Sequence, residues 1–270
     1  SHSSDVMIAR KLPVLGAALV RFFTKRTRKI TVVSQRTLNK LKSFFTLKEW
    51  DEVYKKVKVI PMGVDIPSFS KPEKSSKCIK EKYGYQNRKI LFFIGRLAEK
   101  KGLKYLLEAL VEYVKRDASI LLVIAGDGPL LEELQQKVKS IGIEGYVDFI
   151  GYTTGDKKLE LFVICDIIIL PSIITDDGDA EGFPVVLMEG LAAGKICVAT
   201  DASGADDVLE DSNDGFIIQP NDSKHILSVL LKINRLSEKK KQVISINAIE
   251  TSKKFDWNNI AKNHVEHLFE

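Results

Sequence analysis

Short apolar runs alternate with longer amphipathic segments from about residue 88 to residue 236 of the sequence. Each run is apolar at nearly every position, which is typical of strands that are buried on both faces of a parallel sheet. The predicted strands are Lys89–Ile94, Ile120–Ala125, Val147–Ile150, Ile167–Leu170, Ile196–Thr200 and Gly215–Ile218. The predicted helices are Leu103–Lys115, Leu130–Ser140, Gly155–Phe162, Pro184–Ala193, Asp206–Glu210 and Ser223–Leu236. The sequence therefore predicts an α/β fold with helices on both faces of a parallel sheet, and ligands that bind at the carboxyl ends of its strands.

The first sixty residues carry most of the excess basic charge. Residues 1–60 contain fourteen Lys or Arg against four Asp or Glu, although the whole chain has a net charge of only +5. Within them, residues 6–29 combine several Leu and Phe side chains with seven Lys or Arg, and Pro13 is expected near a helix start. Two interpretations stay open: an interfacial helix on anionic lipid, or an ordinary helix that packs inside a domain and keeps its Lys and Arg in solvent.

Composition limits the compartment and the partners. No apolar run reaches the length of a membrane-spanning helix. Cys78, Cys165 and Cys197 lack the spacing of a metal or redox site, and they fit a reducing compartment. We expect a cytoplasmic protein without a nucleic-acid partner, peripheral at the inner face of the membrane if residues 6–29 bind lipid.

A polar loop that leads into an apolar helix follows the predicted strand Ile167–Leu170. Pro184 is expected at the first helical position, because its missing N–H group would be unpaired there. Gly182 lets a ligand approach the main chain closely, and the free N–H groups at the helix start favour an anion. Glu181 lies just before this helix and Glu189 lies within it, so two carboxylates flank the predicted anion site.

Glu189 is unusual because the helix that carries it is apolar on nearly every side. Such a helix is buried, and a buried carboxylate needs hydrogen-bond partners. In one interpretation the partners are vicinal hydroxyls, so that one carboxylate binds a ribose and the other binds the transferred sugar of a nucleotide sugar. In the other, Glu189 is a core residue capped by main-chain N–H groups. The spacing alone leaves the two open.

Glu181 and Glu189, with residues 182–184 reading Gly-Phe-Pro between them, resemble the Glu-x7-Glu motif of retaining glycosyltransferases of the GT-B fold. The most similar of these are family 4, the group 1 transferases, and the similarity runs from about Ile30 to the C-terminus. Three further motifs occur in the order that this family shows: Gly95-Arg96-Leu97 with Lys101-Gly102, then Ala125-Gly126-Asp127-Gly128-Pro129, then Leu170-Pro171-Ser172.

This resemblance implies a domain organisation and an activity. Residues 61–270 would form the Rossmann-like, C-terminal donor-binding domain with its terminal crossover helix, and residues 1–60 a remnant of the N-terminal, acceptor-side domain. The implied enzyme moves a sugar from a nucleotide diphosphate sugar to a polysaccharide or lipid-linked acceptor, and this chain would be mainly its donor-binding half. The alternatives are a non-catalytic nucleotide-sugar binding module and another GT-B enzyme such as a sugar-nucleotide epimerase. An epimerase is expected to lack the set formed by Arg96, Lys101 and the two glutamates.

The resemblance also implies roles for individual residues. Arg96 and Lys101 would hold the donor diphosphate and stabilise it as the leaving group, and Glu181 would act at the transferred sugar. Side chains that neutralise a leaving diphosphate remove the need for a metal ion. The other donor-binding residues that the resemblance implies are Gly126, Gly182, Phe183 and Glu189.

Neither a metal ion nor another cofactor is expected. Asp176, Asp177 and Asp179 have the pattern of a metal-binding loop, since Mg²⁺ sites use carboxylates together with substrate phosphates. The resembled fold does not use such a metal, so we interpret these residues as a solvated loop or one that reaches sugar hydroxyls. Asp207 departs from the family pattern, which usually has Glu at this place.

Overall fold

The computed structural model describes residues 13–70 and 75–269 of the chain. Its strands are β1 (Ile30–Val32), β2 (Val57–Val59), β3 (Lys89–Ile94), β4 (Ile120–Ala125), β5 (Val147–Gly151), β6 (Ile167–Leu170), β7 (Ile196–Thr200) and β8 (Gly215–Ile218). Its helices are α1 (Pro13–Arg26), α2 (Gln35–Lys42), α3 (Leu47–Tyr54), α4 (Ile66–Ser70), α5 (Ser76–Tyr83), α6 (Leu103–Val114), α7 (Leu131–Ser140), α8 (Gly155–Ile164), α9 (Val185–Ala192), α10 (Ser223–Asn234), α11 (Glu238–Ser252) and α12 (Trp257–Phe269). Residues 6–12 of the basic segment lie outside the described residues.

A six-stranded parallel sheet forms the centre of the molecule, in the order β5-β4-β3-β6-β7-β8. Successive side chains of each strand point to opposite faces, and both faces are covered. In β3, Ile90 and Phe92 belong to one core cluster with residues of α5, α8 and α9. Leu91 and Phe93 belong to a second cluster with residues of α6, α7 and α10. The predicted α/β fold, a parallel sheet with helices on both faces, is confirmed.

The order of the strands reverses between β3 and β6. The chain runs from β3 outward to β4 and β5, and then returns to β6 on the other side of β3 before it continues to β7 and β8. Crossovers on the two sides of this point diverge, which opens a crevice at the carboxyl ends of β3 and β6. The segments that begin at Gly95 and Pro171 therefore meet at the place where such a sheet binds ligands.

The N-terminal part of the chain forms a small second sheet, in which β1 and β2 pair in parallel. The last helix connects it with the large sheet. The Val64 amide donates to the Phe255 carbonyl at 2.8 Å, just before α12 begins. Near the end of α12, a ring nitrogen of His267 lies 3.1 Å from the Ile30 carbonyl oxygen. None of the described helices combines the length and the apolar character that crossing a membrane requires.

The helix predicted at Asp206–Glu210 is wrong. The structure has two single 3-10 turns there, Asp201–Ser203 and Ala205–Asp207. Gly204 separates them with a left-handed backbone (φ 81°), a conformation that interrupts a helix and that glycine adopts without steric cost. This region is therefore a compact loop at the carboxyl end of β7.

Two local details concern helix ends. Ile66–Ser70 is a short helix whose Phe69 ring packs against Phe162 at 5.0 Å between centroids. Pro184 precedes α9 as its N-cap residue, with φ −87° and ψ 74°, instead of occupying the first helical position. Sequence patterns locate helix ends only to within one or two residues.

Candidate active site

The loop that follows β3 and the loop that follows β6 pack against each other at the carboxyl ends of these strands. A Cβ atom on Gly102 would lie 1.9 Å from the Pro171 carbonyl oxygen, so only glycine allows this approach. The Ile173 amide donates to the Lys100 carbonyl oxygen at 2.8 Å and joins the same loops. Lys101 is therefore held beside the segment that leads from β6 to Glu181.

Lys101 and Glu181 form an ion pair, with 3.1 Å between Nζ and Oε2 and side chains that are 14% and 16% exposed. Both line a cavity of about 150 Å³ at the start of α9, together with Ser172, Phe183 and Ser203. The Lys101 ammonium also lies close to Gly95, the residue that follows β3. Its Nζ atom is 3.3 Å from the position that a Cβ atom on Gly95 would occupy. The structure thus brings together three predicted site residues: Lys101, Glu181 and Phe183.

Arg96 and Gly126 lie in an adjacent cavity of about 710 Å³. Arg96 is exposed there. A Cβ on Gly126 would lie 1.9 Å from the Gly95 carbonyl oxygen, so Gly126 allows the turns after β3 and β4 to touch. Tyr152 lines the same cavity and is 78% exposed. Gly95 lines this larger cavity and Lys101 lines the smaller one, so the two cavities lie next to each other at the end of the sheet, and we refer to them together as the cleft.

The start of α9 offers fewer free amides than the sequence suggested. The Val185 amide donates to the Phe183 carbonyl at 3.1 Å, and the Leu187 amide donates to the Pro184 carbonyl at 2.9 Å. A helix start with amides already paired attracts an anion less strongly. The positive charge of the cleft therefore comes chiefly from side chains.

Glu189 lies apart from the other site residues and lines neither cavity. Its Oε1 atom pairs with Lys158 Nζ from α8 at 2.6 Å, while its Oε2 atom is buried without a hydrogen-bond partner. Burial raises the pKa of the Glu189 carboxyl group, and the hydrogen bond from Lys158 opposes that rise. Sequence reasoning missed Lys158, although its spacing from Leu161 and Phe162 places it on the apolar face of α8.

In the acidic loop before Glu181, two carboxylates contact other groups of the protein. Asp177 Oδ1 accepts hydrogen bonds from the Thr175 hydroxyl at 2.5 Å and the Asp179 amide at 3.2 Å. Asp179 pairs with Lys100 at 3.1 Å. Within the described part of the chain, no group of three or more His, Cys, Asp or Glu side chains is placed to hold a metal ion.

The start of α2 contacts this site from the N-terminal part of the chain. The Ser34 hydroxyl donates to the Gly182 carbonyl at 2.9 Å. The Gln35 amide donates to Asp207 Oδ2 at 3.1 Å, so Asp207 serves as an acceptor for the first amide of α2. Burial raises the pKa of Asp207, and this amide opposes the rise. These contacts could not be predicted from the sequence, because they join residues more than a hundred positions apart.

The family model described as glycosyl transferases group 1 matches residues 76–251. The chain belongs to this family. A relative from Methanocaldococcus jannaschii, an uncharacterized glycosyltransferase, is 28% identical over 78% of this chain and 53% of its own length. The amylovoran biosynthesis glycosyltransferase AmsK of Erwinia amylovora is 29% identical over 67% of this chain and 42% of its own length. The chain thus spans about half the length of the curated relatives that it matches.

Solved structures support the same fold. The crystal structure of Anabaena HepE in complex with UDP superposes with a TM-score of 0.83 and 22% identity, over 94% of this chain and 67% of that protein. HepE in complex with UDP-glucose superposes with a TM-score of 0.81. The group 1 member described here therefore has the GT-B fold that its motifs predicted.

The pairing of Lys158 with Glu189 predicts a pH-dependent effect of Lys158→Met on stability. Without its partner, Glu189 is a lone buried carboxylate, which costs on the order of 3 kcal/mol near neutral pH. A carboxyl group whose pKa is raised in the folded state destabilises that state as the pH rises through its folded pKa. We therefore expect Lys158→Met to be destabilising at pH 7.5 and much less so near pH 4.5, when Glu189 is protonated.

Urea unfolding at the two pH values measures this effect. Lys157→Met is the matched control, because Lys157 is an exposed neighbour whose ammonium only contacts the Ile150 carbonyl at 3.3 Å. We expect the control to change the free energy of unfolding by less than about 0.5 kcal/mol at either pH. A Lys158→Met penalty that is the same at both pH values would contradict the account.

Proposed function

We propose that this group 1 family member transfers a sugar from a nucleotide diphosphate sugar to a polysaccharide or lipid-linked acceptor, with retention of the anomeric configuration. The observation that carries the proposal is the Lys101–Glu181 ion pair, next to the cavity that Arg96 lines, at the place where the strand order of the sheet reverses. The relatives lend support, since AmsK is named for amylovoran biosynthesis and HepE was crystallised with UDP-glucose. The anomeric configuration of the product, read by NMR, tests the retention.

Arg96 and Lys101 hold the diphosphate in this proposal. Arg96 offers a planar set of donors in the larger cavity, and Lys101 offers a point charge in the smaller one. As the bond to the sugar breaks, negative charge grows on the diphosphate, and fixed cations in a partly closed cleft stabilise it. The transfer therefore proceeds without a metal ion or another cofactor.

In this proposal Glu181 and Glu189 contact different parts of the donor: Glu181 the transferred sugar and Glu189 the ribose. Glu181 lies in the cleft with Lys101 and is the carboxylate that contacts the transferred sugar. Glu189 lines neither cavity, so its contact with the ribose requires that a ribose hydroxyl reach the buried Oε2 atom, which lacks a hydrogen-bond donor in the free protein. Gly126, Gly182 and Phe183 shape the cleft around the same ligand.

Removing either cation should weaken the binding of the diphosphate selectively. Arg96→Ala and Lys101→Ala each remove a charged hydrogen bond, and we expect losses of roughly 1.5–3 kcal/mol for a nucleoside diphosphate. The same variants should bind the corresponding nucleoside almost as well as the wild type does. Calorimetric titration with UDP, GDP and ADP, each beside its nucleoside, measures the difference. Equal losses for diphosphate and nucleoside would mean that the two residues act on the fold instead.

The two carboxylates should give different ligand profiles. Glu189→Gln should lower the affinity for every ribonucleotide, whereas Glu181→Gln should lower it only when the sugar is attached. A chelator should leave donor binding and transfer unchanged. Titration of both variants with UDP and UDP-glucose provides the comparison, and identical profiles would refute the division of roles. A donor that binds to the wild type but is never turned over would favour the alternative of a non-catalytic binding module.

A lipid-linked acceptor requires access to a membrane surface, and α1 offers one means of contact. Its residues Leu19, Phe22 and Phe23 are exposed, and the Arg26 guanidinium lies 3.7 Å from the Phe22 ring centroid. Thr24 of the same helix is buried, so α1 rests on the protein through its opposite side. Apolar side chains flanked by basic ones suit the interface of an anionic bilayer. We place the protein in the cytoplasm, peripheral to the inner face of the membrane.

Replacing both exposed rings should weaken the binding to anionic vesicles. The variant Phe22→Ala/Phe23→Ala should co-sediment less with phosphatidylserine-containing vesicles, and wild-type binding should fall as salt screens the basic residues. Ile246→Ala is the control, because Ile246 is 65% exposed, close to the 63% of Phe23, and lies on α11 and not on α1. Binding that ignores anionic lipid and salt, or that does not occur, would instead favour a packing role for the apolar face.

A further inference from the structure

The Ser172 hydroxyl is a buried polar group without a hydrogen-bond partner among the described residues. Ser172 is 1% exposed, and its Oγ atom has no partner. Its main chain is fixed, since the Ser172 carbonyl accepts a hydrogen bond from the Thr200 hydroxyl at 2.6 Å. Leaving a buried hydroxyl unpaired costs free energy, and such groups in folded proteins call for a specific explanation. Ser172 therefore carries a donor that the protein alone does not use.

Ser172 lines the cavity that contains the Lys101–Glu181 ion pair, and its hydroxyl is buried in the wall of that cavity. A second buried serine of that cavity, Ser203, behaves differently, because its hydroxyl donates to the Thr200 carbonyl. The same small space thus contains one serine that is satisfied by the fold and one that is not. A ligand group that enters beside Lys101 would meet the Ser172 hydroxyl.

We infer that the Ser172 hydroxyl donates a hydrogen bond to a phosphoryl oxygen of the donor diphosphate. This inference rests on the proposed function. The Lys101 ammonium draws an anionic acceptor into the cavity, and a hydroxyl gains most from an acceptor that carries charge. Ser172 and Lys101 each adjoin the contact between Gly102 and the Pro171 carbonyl and line the same cavity of about 150 Å³, so one phosphoryl group in that cavity would lie next to both donors. Ser172 is then a further donor-binding residue of the site.

The variant Ser172→Ala separates this role from a structural one. Because the hydroxyl has no partner in the free protein, its removal should leave the urea midpoint of unfolding unchanged or raise it. It should lower the affinity for the best-bound member of UDP, GDP and ADP by roughly tenfold, the effect of one charged hydrogen bond. It should lower the affinity for that diphosphate and for its sugar conjugate (UDP-glucose where UDP binds best) by the same factor, and it should leave the affinity for the corresponding nucleoside unchanged.

Ser203→Ala is the matched control, because it removes a hydroxyl of the same cavity that the fold already satisfies. It should lower the urea midpoint and change diphosphate affinity by less than about threefold, since a lost internal hydrogen bond acts on stability. The inference is overturned if Ser172→Ala binds diphosphates as the wild type does, if it loses affinity only for the sugar conjugate, or if its urea midpoint falls as that of Ser203→Ala does. A wild-type protein that binds none of the three diphosphates would overturn the proposed function and this inference together.

Discussion

The close contact between Gly102 and the Pro171 carbonyl is the constraint on which the rest of the site depends. It joins the loop after β3 to the loop after β6, the two neighbouring strands at which the sheet reverses its order. A side chain at position 102 would force these loops apart. The separation of Lys101 from Glu181, and of both from Ser172, would then change. The chemistry of the cleft is therefore set by a main-chain approach that only glycine allows.

Three lysines form ion pairs with three of the carboxylates in the loop and helix that follow β6. Lys100 pairs with Asp179 and Lys101 with Glu181, both from the loop after β3, while Lys158 reaches Glu189 from α8. Partly buried pairs gain little net stability, because desolvation offsets most of the attraction. Their effect is instead to hold the charges in place before a ligand arrives. In the proposed function, a diphosphate at Lys101 would compete with the carboxylate of Glu181, which Lys101 already contacts.

The sheet could be predicted from the sequence almost to the residue, because strands buried on both faces are apolar at every position. The motifs also placed Arg96, Lys101 and Glu181 at the ends of the correct strands. The partner of Glu189 could not be predicted in the same way, since Lys158 comes from another helix and only tertiary packing brings it near. The helix predicted at Asp206–Glu210 fails for a local reason: the Glu210 amide donates to Asp214 Oδ1 at 2.8 Å instead of continuing a helical turn.

The contacts made by the start of α2 extend the site beyond the large sheet. Ser34 caps α2 by accepting from its own helix and also donates to the Gly182 carbonyl, next to Glu181. Asp207 accepts the Gln35 amide with a carboxylate whose pKa burial has raised, so this bond weakens if the carboxyl group is protonated. A shift of the Glu181 loop alters the geometry at Ser34, and a shift of α2 alters the geometry at Gly182. Such coupling is reciprocal in free energy. If a change in the position of α2 alters the affinity of the site for a ligand by some factor, that ligand alters the equilibrium between the positions of α2 by the same factor.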